Sequence, residues 1–220
     1  MIAIALSFDS GILLCADTKY GVPARAHPEL SNTFSKQYRS EPGYARSIFL
    51  VSEPSGCRVA AVQYSESALD ILSPAEYTID QMRATIENSL SEIYRRQPEA
   101  AMLVTLYSAL DRQYSLFHTS GAALKELAGY DCQGAAAYLG HYLIRERYEA
   151  MRSMDALDLR SIFSLATETL DRVRESCDGC GEFTEIFVLY ANGRASGVQR
   201  IRQGARELPE LALRANLVGT

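Results

Sequence analysis

Two short stretches of this 220-residue sequence carry side chains whose types and positions could do chemistry. In the first, LLCADTKYG from Leu13 to Gly21, an apolar run ends at Asp17, soon after the chain's own first residue. The second is Cys177-Asp-Gly-Cys180, a C-x-x-C pair of the kind that can hold a metal or exchange a disulfide. The question is which of these patterns has the partners that its chemistry needs.

The cysteine pair lacks such partners. A tetrahedral zinc site needs four ligands, and the sequence has no second C-x-x-C and no H-x-x-x-H. A redox pair of the thioredoxin type should open a helix, whereas this one follows a predicted helix. The chain's 5 cysteines are odd in number and scattered, which is typical of a reducing compartment. We therefore expect packed or loop cysteines, with no metal and no cofactor.

Composition and charge narrow the class of protein further. Apolar residues make up 47% and charged residues 22%, values typical of one globular domain, which we place at residues 1–220. The net charge of −5 argues against nucleic-acid and anionic-membrane partners. Asp9 interrupts the apolar N-terminus too early for a signal peptide, and no apolar run is long enough to span a membrane. We expect a cytoplasmic protein.

The elements that must position these residues alternate between strands and helices. Strands are predicted at 2–8, 12–16, 33–38, 45–51, 57–63, 101–108, 112–118, 122–128 and 185–190, and in a run ending near 201. Helices are predicted at 65–73, from Thr78, at 133–149, at 157–175 and near the C-terminus. Thr78 and Gln81 form a capping box, and Gly11 closes the first hairpin with a positive φ.

This order reads sheet, two helices, sheet, two helices, sheet. Two sheets that each face a pair of helices bury every apolar surface in a helix–sheet–sheet–helix stack. The predicted fold class is therefore α+β, a four-layer α-β-β-α sandwich.

The first 50 residues resemble the proteasome β-subunit family, which includes the bacterial ATP-dependent relatives and the smaller homologue Anbu. The resemblance rests on a first strand, the hairpin Asp9-Ser10-Gly11, a second strand and Asp17-Thr18-Lys19. Asn32-Thr33-Phe34-Ser35-Lys36 looks like the family strand that carries the catalytic lysine. The resemblance implies an N-terminal nucleophile hydrolase fold, in which residue 1 attacks a carbonyl and the α-amine takes its proton.

Under this resemblance, Asp17 and Lys36 take the positions of the catalytic aspartate and lysine. The alternative is that Asp17 caps a loop and Lys36 lies on a solvated strand edge. Met1 falls at the nucleophile position, where a thioether has no acidic proton and is inert. The large Ile2 also disfavours removal of that methionine. The glycine that helps the family bind the oxyanion is absent from residues 60–66, AAVQYSE.

Three later residues match supporting positions of the family more loosely. Cys132 lies where the family has a glycine-serine turn, so it would replace a supporting serine. Asp178 corresponds to a supporting aspartate, and Cys180 would replace a second serine. The two histidines His118 and His141 are predicted at a strand end and on a helix surface, without a catalytic role.

Three functions stay open at this point. The first is a proteasome-like subunit that assembles with copies of itself but does not cleave peptides by the usual route. The second is an active N-terminal nucleophile peptidase or amidohydrolase with a different mature N-terminus and a peptide substrate. The third is a non-catalytic, ligand-binding α+β protein, because a fold alone does not determine function.

Overall fold

The computed structural model describes residues 2–17, 47–51, 77–96, 102–108, 110–134, 136–177, 183–191 and 199–202. Within these ranges the chain forms strands and helices that we number in chain order. The strands are β1 Ala3–Phe8, β2 Gly11–Asp17, β3 Ser47–Val51, β4 Met102–Ser108, β5 Gln113–Ser120, β6 Ala123–Leu127, β7 Tyr130–Gln133, β8 Phe183–Tyr190 and β9 Gln199–Arg202. The helices are α1 Ile79–Arg96, α2 Ala137–Ser153 and α3 Leu159–Ser176.

The strands form two antiparallel sheets. The first sheet has five strands in the order β7-β1-β2-β8-β9, and the second has four in the order β3-β4-β5-β6. β1 and β2 therefore lie inside the first sheet, and their sequences are apolar on both faces because both faces of this sheet are covered. The mixture of helices with antiparallel sheets confirms the α+β class.

The β1–β2 hairpin is confirmed, but the prediction for Gly11 was wrong. The φ of Gly11 lies outside the left-handed region that favours glycine. Glycine is required there for a different reason, since a Cβ on Gly11 would collide with the backbone carbonyl of Leu189 in β8. The close approach of two strands, rather than an unusual backbone angle, excludes a side chain at this position.

Two apolar clusters lie on opposite faces of the first sheet. The larger cluster joins this sheet to α2 and α3. The smaller one joins its other face to residues of β4 and β5 in the second sheet, and contains Ala3, Ala5, Ile12, Leu14, Leu103, Tyr107, Leu116, Phe187 and Leu189. α1 contacts the second sheet, where the Arg83 guanidinium lies 5.8 Å from the centre of the Phe117 ring. Both faces of the first sheet are thus held by burial of apolar side chains.

The predicted capping box at the start of α1 is confirmed by two reciprocal hydrogen bonds. The Thr78 backbone N–H donates to Oε1 of Gln81 (2.9 Å), and the Gln81 N–H donates to Oγ1 of Thr78 (3.2 Å). In α3, Asp158 is the N-cap, and its side chain accepts the backbone N–H of Ser161 at 2.9 Å. Both helices therefore begin where a side chain replaces a missing backbone acceptor.

The prediction for residues 133–149 was wrong at its start. Residues 130–133 form strand β7, and α2 begins only at Ala137. Gly129 and Gly134 flank the strand with φ of 141° and 108°, so two left-handed positions isolate it from its neighbours. Several predicted elements lie outside the described residues: strands 33–38 and 57–63, helix 65–73 and the C-terminal helix.

Candidate functional site

The open end of the β1–β2 hairpin brings the start of the chain next to Asp17. In the register of this hairpin, Ala3 pairs with Ala16, so Ile2 and Asp17 follow at the same end. On the other side of β2, the backbone of Asp17 pairs with Thr184 in β8. The backbone of Asp17 therefore lies between the β1 side of the sheet and Thr184 of β8.

Ile2 is buried completely, although it is the second residue of the chain. A Cβ on Gly140 of α2 would lie 2.6 Å from Cδ1 of Ile2 and 3.0 Å from Sγ of Cys132. Both side chains therefore pack directly against the backbone of α2 at the one position where that helix has no side chain. The first residues of β1 are thus fixed in the core between the sheet and this helix.

The two thiols near this end are buried and stay protonated. Burial raises the pKa of the Cys15 thiol to about 12, although the positive charge of Arg174 acts in the opposite direction. Burial also raises the pKa of Cys132, and the negative charge of Asp131 raises it further. Because a thiolate is the nucleophilic form, neither cysteine can attack a carbonyl at neutral pH. Cys132 packs as an apolar residue in this region.

Arg174 of α3 places a buried cation below the end of β2. Its Nη2 donates to the hydroxyl of Thr184, the residue paired with Asp17. Its Nη1 lies 3.2 Å from Oδ1 of Asp171, and only 6% of its side chain is exposed. Sequence reasoning missed this arginine, because a cation in the last turn of a helix is ordinary. It supplies positive charge at this end of the sheet.

A second polar group, which the sequence did not predict, surrounds Asp131 of β7. Oδ2 of Asp131 lies 2.8 Å from Nδ1 of His118 in β5 and accepts a hydrogen bond from Nε2 of Gln133 at 2.7 Å. Its Oδ1 lies 2.9 Å from Nε2 of His141 in α2. The carboxylate is 7% exposed, whereas the histidine side chains are 27% and 44% exposed. We call these four residues the Asp131 cluster.

The Asp131 cluster lies close to the start of β1. β7 pairs with β1 in a register that sets Gln133 opposite Ala3 and Asp131 opposite Ala5. Ala3 and Ala5 belong to the apolar cluster between the two sheets. Leu103 of β4, which pairs with His118 of β5, belongs to the same cluster. The Asp131 cluster therefore joins both sheets and α2 at the sheet edge nearest the N-terminal end of β1.

Most of the predicted site residues cannot be placed. Met1, Lys36, Asp178 and Cys180 lie outside the described residues, as do residues 60–66, and Asp17 is placed only by its backbone pairing. His118 and His141 lie where they were predicted, on the last part of a strand and on a helix surface. Their common partner could not be inferred, because 13 and 10 residues separate them from Asp131 and no local spacing links them.

Within the described ranges, no three or more histidine, cysteine or acidic side chains are arranged to hold a metal ion. In the Asp131 cluster, the carboxylate occupies the space between the two imidazoles. A search of the described helices also finds none that is long and apolar enough to cross a membrane.

No protein-family model and no curated protein matches this sequence. Solved structures do match it in three dimensions. Anbu (ancestral beta-subunit) from Yersinia bercovieri aligns with all of this chain and 93% of its own length, with a TM-score of 0.67 and 15% identity. Anbu from Hyphomicrobium sp. strain MC1 aligns with all of this chain and 98% of its own, with a TM-score of 0.69 and 13% identity. The sequence-based resemblance to Anbu is thereby confirmed at the level of the fold.

Proposed function

We propose that this chain is a proteasome-like subunit of the Anbu type that assembles with copies of itself and does not cleave peptides through its first residue. The observation that carries the proposal is a fold shared with 93% and 98% of the lengths of two Anbu proteins, combined with methionine at the position that the sequence resemblance assigns to the nucleophile. The fold supports the subunit class, and the chemistry of one side chain supports the loss of the usual cleavage route.

The proposed architecture is the four-layer stack of this class. Two observations favour it: the first sheet buries one face against α2 and α3 and the other against the second sheet, and α1 contacts the second sheet. The backbone N–H of Leu124 in β6 also donates to Oε1 of Glu87 in α1 at 2.7 Å. The layers then follow in the order α2/α3, first sheet, second sheet, α1.

The proposed inactivity follows from the side chain at position 1. A thioether sulfur carries no proton for a base to remove and would form a charged sulfonium on attack, so it cannot replace a hydroxyl or thiol. This argument holds whether or not other residues precede Met1. A start at Ser7 is excluded as a remedy, because Ala3, Ile4, Ala5 and Leu6 are fully buried in β1.

A second candidate function is an active N-terminal hydrolase with a different mature terminus. The observation that favours it is that Asp17 and Lys36 remain in the sequence although the nucleophile position has changed. In this role, Lys36 would favour the unprotonated form of the neighbouring amine, and Asp17 would orient the lysine. The proposal with an inert Met1 is instead compatible with Asp17 as a loop cap and Lys36 on a solvated strand edge.

Self-assembly is proposed to use the exposed face of α2. Tyr138 and Tyr142 lie one turn apart on this helix and are 72% and 78% exposed, which is unusual for aromatic side chains. Tyrosines are enriched at protein interfaces because they bury a large area and keep a hydroxyl for hydrogen bonding. The proposed partner is a second copy of this chain, in a cytoplasmic assembly.

Intact-mass measurement of the purified chain, together with a fluorogenic-peptide assay, tests the proposed inactivity. We expect Met1 to be retained and peptide cleavage to be the same in the wild type and in Lys36→Ala. Cleavage that disappears in Lys36→Ala, from a chain whose mass shows a serine, threonine or cysteine as first residue, would instead establish the active hydrolase.

Light scattering after size exclusion tests the assembly. We expect a multimer whose mass falls in Tyr142→Ser. The matched control is Leu110→Ser, which changes another exposed apolar residue (57% exposed) on the turn between β4 and β5. A wild-type chain that is monomeric at all concentrations, or a multimer unaffected by Tyr142→Ser, would contradict the proposed assembly or its surface.

A further inference from the structure

The Asp131 cluster holds a buried carboxylate between two histidines that approach it from different parts of the fold. His118 comes from the second sheet, His141 from α2, and Gln133 from the same strand as Asp131. Burying a carboxylate is costly unless several groups compensate its charge, and here His118 and Gln133 form hydrogen bonds with it while Nε2 of His141 lies within 2.9 Å. Each donor group therefore has a fixed orientation.

The hydrogen bond to Asp131 determines which nitrogen of a neutral His118 imidazole carries the proton. An ionised carboxylate only accepts hydrogen bonds, so Nδ1 of His118 must donate, which leaves the lone pair on Nε2. Nε2 of His141 lies 2.9 Å from the other carboxylate oxygen, Oδ1. Within the described residues, no hydrogen bond engages Nε2 of His118, and about a quarter of that side chain (27%) is exposed.

We propose that His118 is a general base for the hydrolysis of carboxylic esters by water, with Asp131 as its positioning residue. A buried acid that holds one imidazole nitrogen as N–H, and so leaves the lone pair on the other nitrogen, is an arrangement that makes histidine an effective base. Gln133 and His141 hold Asp131 in place. This activity does not use residue 1 and is therefore independent of the proposed loss of the N-terminal nucleophile.

The step balances without a cofactor. Nε2 of His118 takes a proton from water while the water oxygen forms a bond to the ester carbonyl carbon. When the tetrahedral intermediate collapses, the bond from that carbon to the alcohol oxygen breaks, and the imidazolium returns its proton to the leaving alkoxide. The products are a carboxylic acid and an alcohol, and His118 regains its starting form.

The competing interpretation is that the cluster only ties β5 to β7 and α2. The substitution His118→Asn separates the two roles, because an asparagine amide N–H can occupy the place of the Nδ1–H and still donate to Asp131, but it has no basic nitrogen. His118→Ala removes both functions. Asp131→Asn keeps the imidazole but replaces the acceptor that fixes its proton on Nδ1.

The experiment measures hydrolysis of p-nitrophenyl acetate by the full chain, with thermal unfolding as the test of folding. We expect His118→Asn and His118→Ala to lower kcat/KM about a hundredfold, and free imidazole to restore part of the rate of the alanine variant. Asp131→Asn should lower kcat more than it changes KM. His27→Ala, which removes the third histidine of the chain, is the control for unspecific imidazole catalysis and should keep the wild-type rate.

Folded His118→Asn with the wild-type rate overturns the proposal, as does an equal loss in His27→Ala. If His118→Ala does not fold, His118→Asn alone decides. Failure of this proposal is distinguishable from failure of the proposed function. The proposed function is tested by the intact mass of the chain, which shows whether Met1 is retained, and by the effect of Lys36→Ala on peptide cleavage.

Discussion

Gly140 of α2 leaves the space that the second residue of the chain occupies. A Cβ at this position would lie 2.6 Å from Cδ1 of Ile2 and 3.0 Å from Sγ of Cys132, both of which are closer than van der Waals contact. In Gly140→Ala, the higher helix propensity of alanine stabilises the folded state by about 1 kcal/mol. Overpacking costs about 1–3 kcal/mol. We therefore expect a net loss of about 1 kcal/mol in the free energy of unfolding.

The cause of this loss can be isolated with a second substitution. Ile2→Val removes Cδ1, the atom nearest to the added methyl group, and costs about 1 kcal/mol by itself. In the double variant the new methyl group fills the space that the lost one vacates. The loss in the free energy of unfolding of the double variant should therefore be smaller than the sum of the two single losses by about 1 kcal/mol. This value lies within the range of coupling energies found between residues in contact.

Urea unfolding of the wild type, both single variants and the double variant measures this coupling energy. The matched control is Ile12→Val, because Ile12 is equally buried but lies in the cluster between the two sheets. Its combination with Gly140→Ala should be additive within about 0.5 kcal/mol. Additivity of Ile2→Val with Gly140→Ala, or a Gly140→Ala variant more stable than the wild type, would refute the placement of Ile2 against α2.

Three further predictions follow from the described contacts. Asp158→Ala should lower the free energy of unfolding by about 1 kcal/mol at neutral pH. The backbone hydrogen bond from Ser161 lowers the pKa of Asp158, so this stabilisation is lost as acid protonates the carboxylate. In urea unfolding, the free energies of the wild type and the variant should therefore become equal at low pH. Tyr148→Phe loses the hydrogen bond from Tyr148 to the Ser7 carbonyl (3.0 Å), a cost of about 1 kcal/mol. Burial raises the pKa of Tyr148 to about 12, so wild type should lose stability above about pH 10 and the variant should lose less; equal alkaline losses would contradict this. Iodoacetamide should modify the half-buried Cys177 before the buried Cys15, as peptide mass mapping can show, and equal rates would contradict the burial of Cys15.

The elements that the sequence predicted correctly are those whose causes are local. The β1–β2 hairpin follows from two short apolar runs around a turn, and the start of α1 follows from Thr78 and Gln81, which satisfy each other's backbone N–H groups. The buried stripe of α1, with Ile79, Met82 and Ile86, follows from helical periodicity. None of these features needs information about distant residues.

The features that the sequence did not predict depend on contacts between distant segments. Strand β7 is only four residues long, and it exists because it pairs with β1, more than 120 residues earlier. Without that pairing, Asp131 looks like a loop residue, and the need of its buried carboxylate for donors cannot be seen. The same reason hid the role of Gly11, whose constraint is the Leu189 carbonyl of β8.

In an N-terminal hydrolase, the start of the first strand must meet a packing requirement and a chemical requirement, and Ile2 concerns only the first. Its complete burial against α2 is a packing requirement, which an apolar residue of suitable volume can meet. Attack on a carbonyl from the preceding position is a chemical requirement, which needs a hydroxyl or a thiol. Because these requirements are physically independent, a chain can lose the second while folding still maintains the first. A TM-score of 0.69 to an Anbu protein is therefore fully compatible with a methionine at position 1, and activity must be argued from side chains rather than from the fold.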